Sequence, residues 1–287
     1  MRICLLFPWT ANLIATLAFV GACSATGDPS PDMTDSNKLI QPSTWEDSST
    51  AGTLFREKNG RLDTVCSGFF YTPRIFVTAL HCQGQFVIAE GEPPRDDLIV
   101  KHIGSYTQCD LGSQGRKVFA WSTPDTWSAR VERDPRNGYL SANLRFNDVL
   151  ALVLTASETC PHGLVSTPIE RNSVRPNEQR TALVLGHQGP APVNYIRAAL
   201  SRVTAENIVD VLAHPSARGA PRADELTHLL WFKPEFPYGV EVKDSGSPVL
   251  DADTKRVLAI ARRFGSVNRL DTDTVSSWLS NLARSYP

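Results

Sequence analysis

From Thr53 to the C-terminus the chain is a succession of short apolar runs set between turn signals: CSGFFY, IFVTAL, FVIAE, DLIVKHI, VLALVL, TALVLGH, SPVL and VLAIA. Each is only a few residues long and draws on Val, Ile and Phe. Such runs are too short for helices that must bury a face, and their side chains suit a pleated sheet. Many short strands with almost no helical periodicity point to an all-β barrel or sandwich. The tail, DTDTVSSWLSNLARS, is the exception. Val275, Trp278, Leu279 and Leu282 fall on one helical face behind an Asp/Thr-rich start suited to capping, which predicts a short C-terminal helix over residues 272–285. A chain of 287 residues with 41% hydrophobic content can bury a real core in one large domain or two small ones.

The N-terminus reads differently. MRICLLFPWTANLIATLAFVGAC carries one charge, Arg2, followed by a largely apolar run to Ala22, the pattern of a signal peptide over residues 1–22. Pro8, Asn12 and the polar SATGDPSPDMTDSN that follows, without a basic stop-transfer cluster, argue against retention as a membrane span. The end of the run, Val20-Gly21-Ala22-Cys23, resembles a bacterial lipobox and implies lipidation of Cys23. Ordinary cleavage near a small-residue site, with Cys23 merely close by, is the alternative. Exported, the chain would be either a membrane-anchored lipoprotein of a bacterial envelope or a secreted or periplasmic protein. Residues 23–52, rich in Ser, Thr, Asp and Pro, are expected to be a polar tether or pro-segment.

Charge excludes some partners. The formal net charge is −1, from 29 basic and 30 acidic residues, so no bulk attraction to nucleic acid or to an anionic membrane surface is expected. The histidines at 102, 162, 187, 214 and 228 show no metal-ligand spacing and read as surface or structural residues. No metal and no cofactor is expected.

Three short motifs carry chemistry. VTALHC, Val77 to Cys82, closes an apolar segment that begins at Cys66. RFNDVLALVL, Arg145 to Leu154, places Asp148 at the mouth of an apolar strand, where a carboxylate must face solvent or hold a partner, because burying it unpaired costs several kcal/mol. VEVKDSGSPVL, Val240 to Leu250, sets Ser245 among an acid, small residues and a proline. Together these resemble the T-A-A-H-C, N-D-I-A-L-L and G-D-S-G-G-P motifs of the chymotrypsin/trypsin-like serine proteases, in the family's order of His81, Asp148 and Ser245. The interval between His81 and Asp148 is longer than usual, with the excess placed in loops around GEPPRDD and TPDTWSARVERDPRNGY. VLGHQG stands where the family has a strand ending in G-W-G, and TVSSWLSNL resembles its terminal helix.

The resemblance covers roughly residues 50–287 and implies two packed antiparallel six-stranded barrels with the site in the cleft between them. The protease domain would span residues 53–287, with an N-terminal barrel over about 53–165, a boundary within TPIERNSVRPNEQR, a C-terminal barrel over about 178–270 and then the helix. It further implies a serine endopeptidase that hydrolyses a protein or peptide substrate, acts as a monomer and needs no cofactor. Ser245 Oγ would be the nucleophile, His81 the general base, and Asp148 the group that holds the imidazole tautomer and stabilises its charged form. The backbone N–H groups of Lys243 and Ser245 would form the oxyanion hole. Cys66 and Cys82 correspond to the family's pair beside the histidine. Cys109 and Cys160 could then pair with each other, although four cysteines allow three connectivities.

The chain departs from the family in three places. Lys243 replaces the glycine whose amide is one oxyanion donor, and glycine reaches backbone conformations that cost a larger residue. No Ile-Val-Gly-Gly terminus exists to fold in and pair with Asp244; the nearest candidate is KLIQP, where cleavage after Lys38 would expose Leu39. Gly239 stands where trypsin-like members carry an acid at the base of the primary pocket, so a preference for Lys or Arg is not expected. The strand expected to wall that pocket, VLAIARRFGS, brings Arg262 and Arg263, which would favour an acidic side chain unless one of them points to solvent. Lys243 and the missing terminus also motivate an alternative reading, a catalytically impaired pseudoenzyme that keeps the barrels as a binding module.

Overall fold

A computed structural model describes residues 51–85, 94, 96–102, 115–124, 131–133, 140–142, 148–155, 168–186, 194–202, 227–234, 244–262 and 266–287. The described segments form two closed six-stranded antiparallel barrels, a two-stranded ribbon and one C-terminal helix. This is the all-β architecture expected.

The first barrel runs in the order β1-β2-β3-β8-β5-β4. Its strands are β1 (Ala51–Lys58), β2 (Arg61–Thr72), β3 (Ile75–Thr78), β4 (Leu98–His102), β5 (Arg116–Ser122) and β8 (Leu150–Leu154). β1 begins slightly before the expected end of the tether, because Ala51 and Gly52 already pair with Phe69 and Gly68 of β2. A β-carbon on Gly52 would lie 2.8 Å from both Phe70 and Phe76, so the smallness of this pair admits the aromatic core rather than marking a linker. Phe70 and Phe76 meet edge to face, with ring centroids 5.2 Å apart. β6 (Val131–Arg133) and β7 (Leu140–Ala142) pair only with each other.

The second barrel runs in the order β10-β11-β14-β13-β12-β9. It contains β9 (Arg180–Gly186), β10 (Asn194–Arg202), β11 (Leu229–Pro234), β12 (Pro248–Asp251), β13 (Val257–Ala261) and β14 (Ser266–Arg269). Its interior is mostly small and aliphatic, with Ala182, Val184, Ala198, Leu200, Val249, Ala259 and Ala261 buried alongside Phe232.

Three features join the barrels. The buried cluster of the first barrel continues through Leu183, Leu250, Val257 and Ile260, side chains carried by strands of the second. The connecting segment pairs with the start of β13, where Glu170 N donates to Val257 O at 2.8 Å and Val257 N donates to Pro168 O at 3.1 Å. The C-terminal helix α1 (Asp273–Ser285) returns from the second barrel and buries Val275 and Leu279 in the first barrel's cluster. Trp278 Nε1 donates to Ser122 Oγ at 3.0 Å, which fixes the helix against the end of β5. No described helix is long and apolar enough to cross a membrane.

Candidate active site

His81 follows β3 in a short 3-10 turn, Leu80–Gln85. Two bonds fix that turn: the disulfide from Cys82 to Cys66 on β2, and the Leu80 N–H donating to Asp148 O at 3.1 Å. The cysteine pair that the resemblance implied is therefore present. His81 and the two sulfurs place possible metal-ligating atoms within 4.8 Å of one another. The sulfurs are bonded to each other, however, and a disulfide has no thiolate to offer a cation.

Asp148 sits just before β8, whose five residues are all buried. Its carboxylate is turned to His81 rather than to water. Oδ1 accepts from the His81 backbone N–H at 2.6 Å, and Oδ2 lies 2.5 Å from His81 Nδ1. Its backbone is held from the second barrel by Asn268 on β14, whose Oδ1 accepts from Asp148 N at 3.3 Å while Nδ2 donates to Asp148 O at 3.4 Å. A third group completes the arrangement: Arg262 Nε lies 3.5 Å from Asp148 Oδ2. Burial by itself pushes the Asp148 carboxyl upward, but the His81 charge, the hydrogen bonds from His81 and the Arg262 charge outweigh it and hold the group below the usual carboxylate range. Burial conversely lowers the Arg262 guanidinium, and Asp148 partly offsets this.

Ser245 lies in the turn that leads into β12. Gly246 N donates to Ala261 O at 2.9 Å, and Ala261 N donates to Ser247 O at 2.8 Å, which anchors the turn to β13. The turn also docks on the first barrel, where Ser67 N donates to Ser245 O at 2.9 Å. Gly246 makes that contact possible. It has φ +89°, and a β-carbon on it would lie 2.2 Å from Ser67 O and 2.4 Å from Thr78 Oγ1. The serine turn therefore rests on the end of β3, a few residues before His81.

The sequence motifs for His81, Asp148 and Ser245 thus converge on one barrel junction. His81 and Asp148 are directly bonded, whereas the Ser245 side chain is fully buried and its Oγ has no hydrogen-bond partner among the described residues. The His81 side chain is a quarter exposed, so the imidazole forms the solvent-facing edge of the pair.

Arg262 departs from its expected place. Instead of walling a cleft it is 4% exposed and faces Asp148. Strand alternation explains this. Ala259 and Ala261 point into the second barrel while Ile260 packs with the first barrel's cluster, so Arg262 emerges on the Ile260 side, toward Asp148. The same alternation, applied to VLAIARR, sets Arg262 on the Ile260 face from sequence, but it does not say which barrel that face meets. Asn268 carried no comparable signal. Gly239, Lys243, Arg263, Cys23, Cys109 and Cys160 lie outside the described residues.

No protein-family model and no curated protein matches the chain. Solved structures do. A scabies mite inactivated protease paralogue, S-I1, superposes with a TM-score of 0.56 at 13% identity, covering 83% of this chain and 95% of that one. Mouse neuropsin, a serine protease expressed in the limbic system of the brain, gives 0.52 at 12% identity over 82% of this chain and 95% of its own. Kallikrein-related peptidase 10 gives 0.52 at 12% over 85% and 100%. At such identities the likeness is one of fold.

Proposed function

Starting from a chain with the chymotrypsin/trypsin-like serine-protease fold, we propose that it is a serine endopeptidase working through Ser245, His81 and Asp148. The observation that carries this reading is the bonding of His81 to the buried Asp148 carboxylate beside a docked DSGSP turn. A buried carboxylate 2.5 Å from Nδ1 fixes the imidazole in the tautomer whose other nitrogen can accept a proton. In the proposed reaction Ser245 Oγ attacks the scissile carbonyl and passes its proton to His81 Nε2. Asp148 stabilises the resulting imidazolium without itself becoming protonated. The backbone N–H groups of Lys243 and Ser245 receive the oxyanion; the imidazolium protonates the leaving amine, and water then hydrolyses the acyl-enzyme.

Protein or peptide is the proposed substrate, with Gly239 arguing against a Lys or Arg preference. Export through residues 1–22, with lipidation at Cys23 holding the enzyme at a membrane, is the proposed setting. A Cys109–Cys160 bridge is proposed with it.

A second reading, a catalytically impaired module, draws on the buried Ser245 Oγ that lacks a hydrogen-bond partner among the described residues. A fluorophosphonate probe separates the two, because labelling reports an activated serine without knowledge of the substrate. The expected result is labelling that falls by about 10³-fold or more in Ser245→Ala and in His81→Ala. Wild-type labelling retained in Ser245→Ala would remove the assignment of this serine. An inert wild type that gains labelling on Lys243→Gly would establish the impaired module.

A further inference from the structure

Resting on the protease reading, we propose that Arg262 is a positioning residue of the site: its buried guanidinium clamps the Asp148 carboxylate in the orientation that presents Oδ2 to His81 Nδ1. Within 4 Å, Asp148 is its acidic neighbour among the described residues.

The physical need arises in the resting state. For the imidazole to accept the serine proton it must be neutral, and Asp148 is then a buried anion without a cation from His81. An anion in that position draws a proton or turns toward water. When buried, arginine keeps its counter-charge more firmly than lysine, whose pKa shifts readily there. On the described elements around Asp148, a further buried arginine, Arg269 of β14, is paired with Asp271. β14 offers the neutral Asn268, and β3 leads through Thr78 and Ala79 to Leu80, whose contribution is its backbone N–H. The serine turn carries a buried acid, Asp244, one residue before Ser245. Among the described residues, His81 and Arg262 are the charged groups that act on Asp148. Arg262 faces Asp148, so its effect reaches the reaction through Asp148 and His81.

The test uses the full-length chain with Arg262→Gln and Arg262→Lys, and two readouts. Proton NMR follows the strongly deshielded resonance expected for a proton held between His81 Nδ1 and Asp148 Oδ2. Fluorophosphonate labelling follows the activity. In Arg262→Gln the resonance is expected to move or vanish and labelling to fall by about 10- to 100-fold, the loss typical when an outer partner that orients a functional side chain is removed. Arg262→Lys keeps a cation and is expected to recover both in part.

A resonance and a labelling rate in Arg262→Gln equal to the wild type's overturn the proposal. If Arg262→Gln does not fold, a folded Arg262→Lys decides: a retained resonance supports the clamp, and a lost one overturns it. A wild type that shows the resonance, loses it in Arg262→Gln and yet takes no probe leaves the clamp standing and removes the protease reading. A wild type that is labelled equally with and without Arg262 does the reverse.

Discussion

Gly246 shows how much a single position can decide. Its φ of +89° lies where side chains are strained, and any β-carbon would press on Ser67 O and Thr78 Oγ1 of the first barrel. Gly246→Ala is expected to lower stability by about 2–5 kcal/mol, from backbone strain and overpacking together. Probe labelling should be lost with it, since the serine turn loses its seat on Ser67. Denaturant midpoints check the first expectation; a midpoint equal to the wild type's would show that the turn tolerates displacement. Asp148 gives a prediction in pH. Its folded-state pKa lies below the unfolded value of about 3.9, so the carboxylate stabilises the fold above that pH, and the contribution is lost as pH falls through the folded value. Between about pH 5 and pH 2, Asp148→Asn should therefore lose less stability than the wild type. Equal slopes in denaturant titrations at those pH values would show that Asp148 contributes nothing to acid sensitivity. At this scale His81, Asp148 and Ser245 were legible because each sits in a short local motif. Arg262 was read as a specificity residue because its contact depends on which barrel its face of β13 meets.

At the scale of elements, the terminal helix is the clearest case of agreement between pattern and structure. The expected face included Val275 and Leu279, which are buried, and Thr272 caps the N-terminus by accepting from Val275 N at 3.4 Å. Removing that acceptor in Thr272→Ala should cost about 1 kcal/mol, which in a domain of this size corresponds to a Tm lower by about 2–4 °C. Calorimetry on the two proteins checks it, and coincident transitions would show the cap to be unnecessary. Strands with charged outer faces were less legible than the continuous apolar runs. β5, RKVFAWS, opens on two charged residues and alternates buried and exposed positions through Arg116, Lys117, Val118 and Phe119, so its apolar run is only the four residues VFAW. β10, NYIRAALSR, is likewise broken by Arg197. Period-two alternation was their signal, and it competes with charge when segments are found by apolar content.

For the molecule as a whole, the disulfide between Cys66 and Cys82 and the helix that crosses back from the second barrel hold the site's two halves in place. The bridge closes a separation of 16 residues, a loop for which constraint of the unfolded chain gives about 3 kcal/mol. Replacing both cysteines with Ala should lower unfolding stability by about 2–4 kcal/mol and reduce labelling, because the bridge anchors the turn that carries His81. Stability equal to the wild type's in a denaturant titration would assign the turn's rigidity to the Leu80–Asp148 hydrogen bond instead. The sequence by itself determined the all-β class, the terminal helix and the candidate site residues, because strand length, helical period and short motifs are properties of neighbours along the chain. Only the tertiary structure decided that β12 and β13 would bring the Ser245 turn and Arg262 against Ser67 and Asp148. Those contacts join segments far apart in sequence, and the closure of two barrels, rather than any local preference, sets which faces meet.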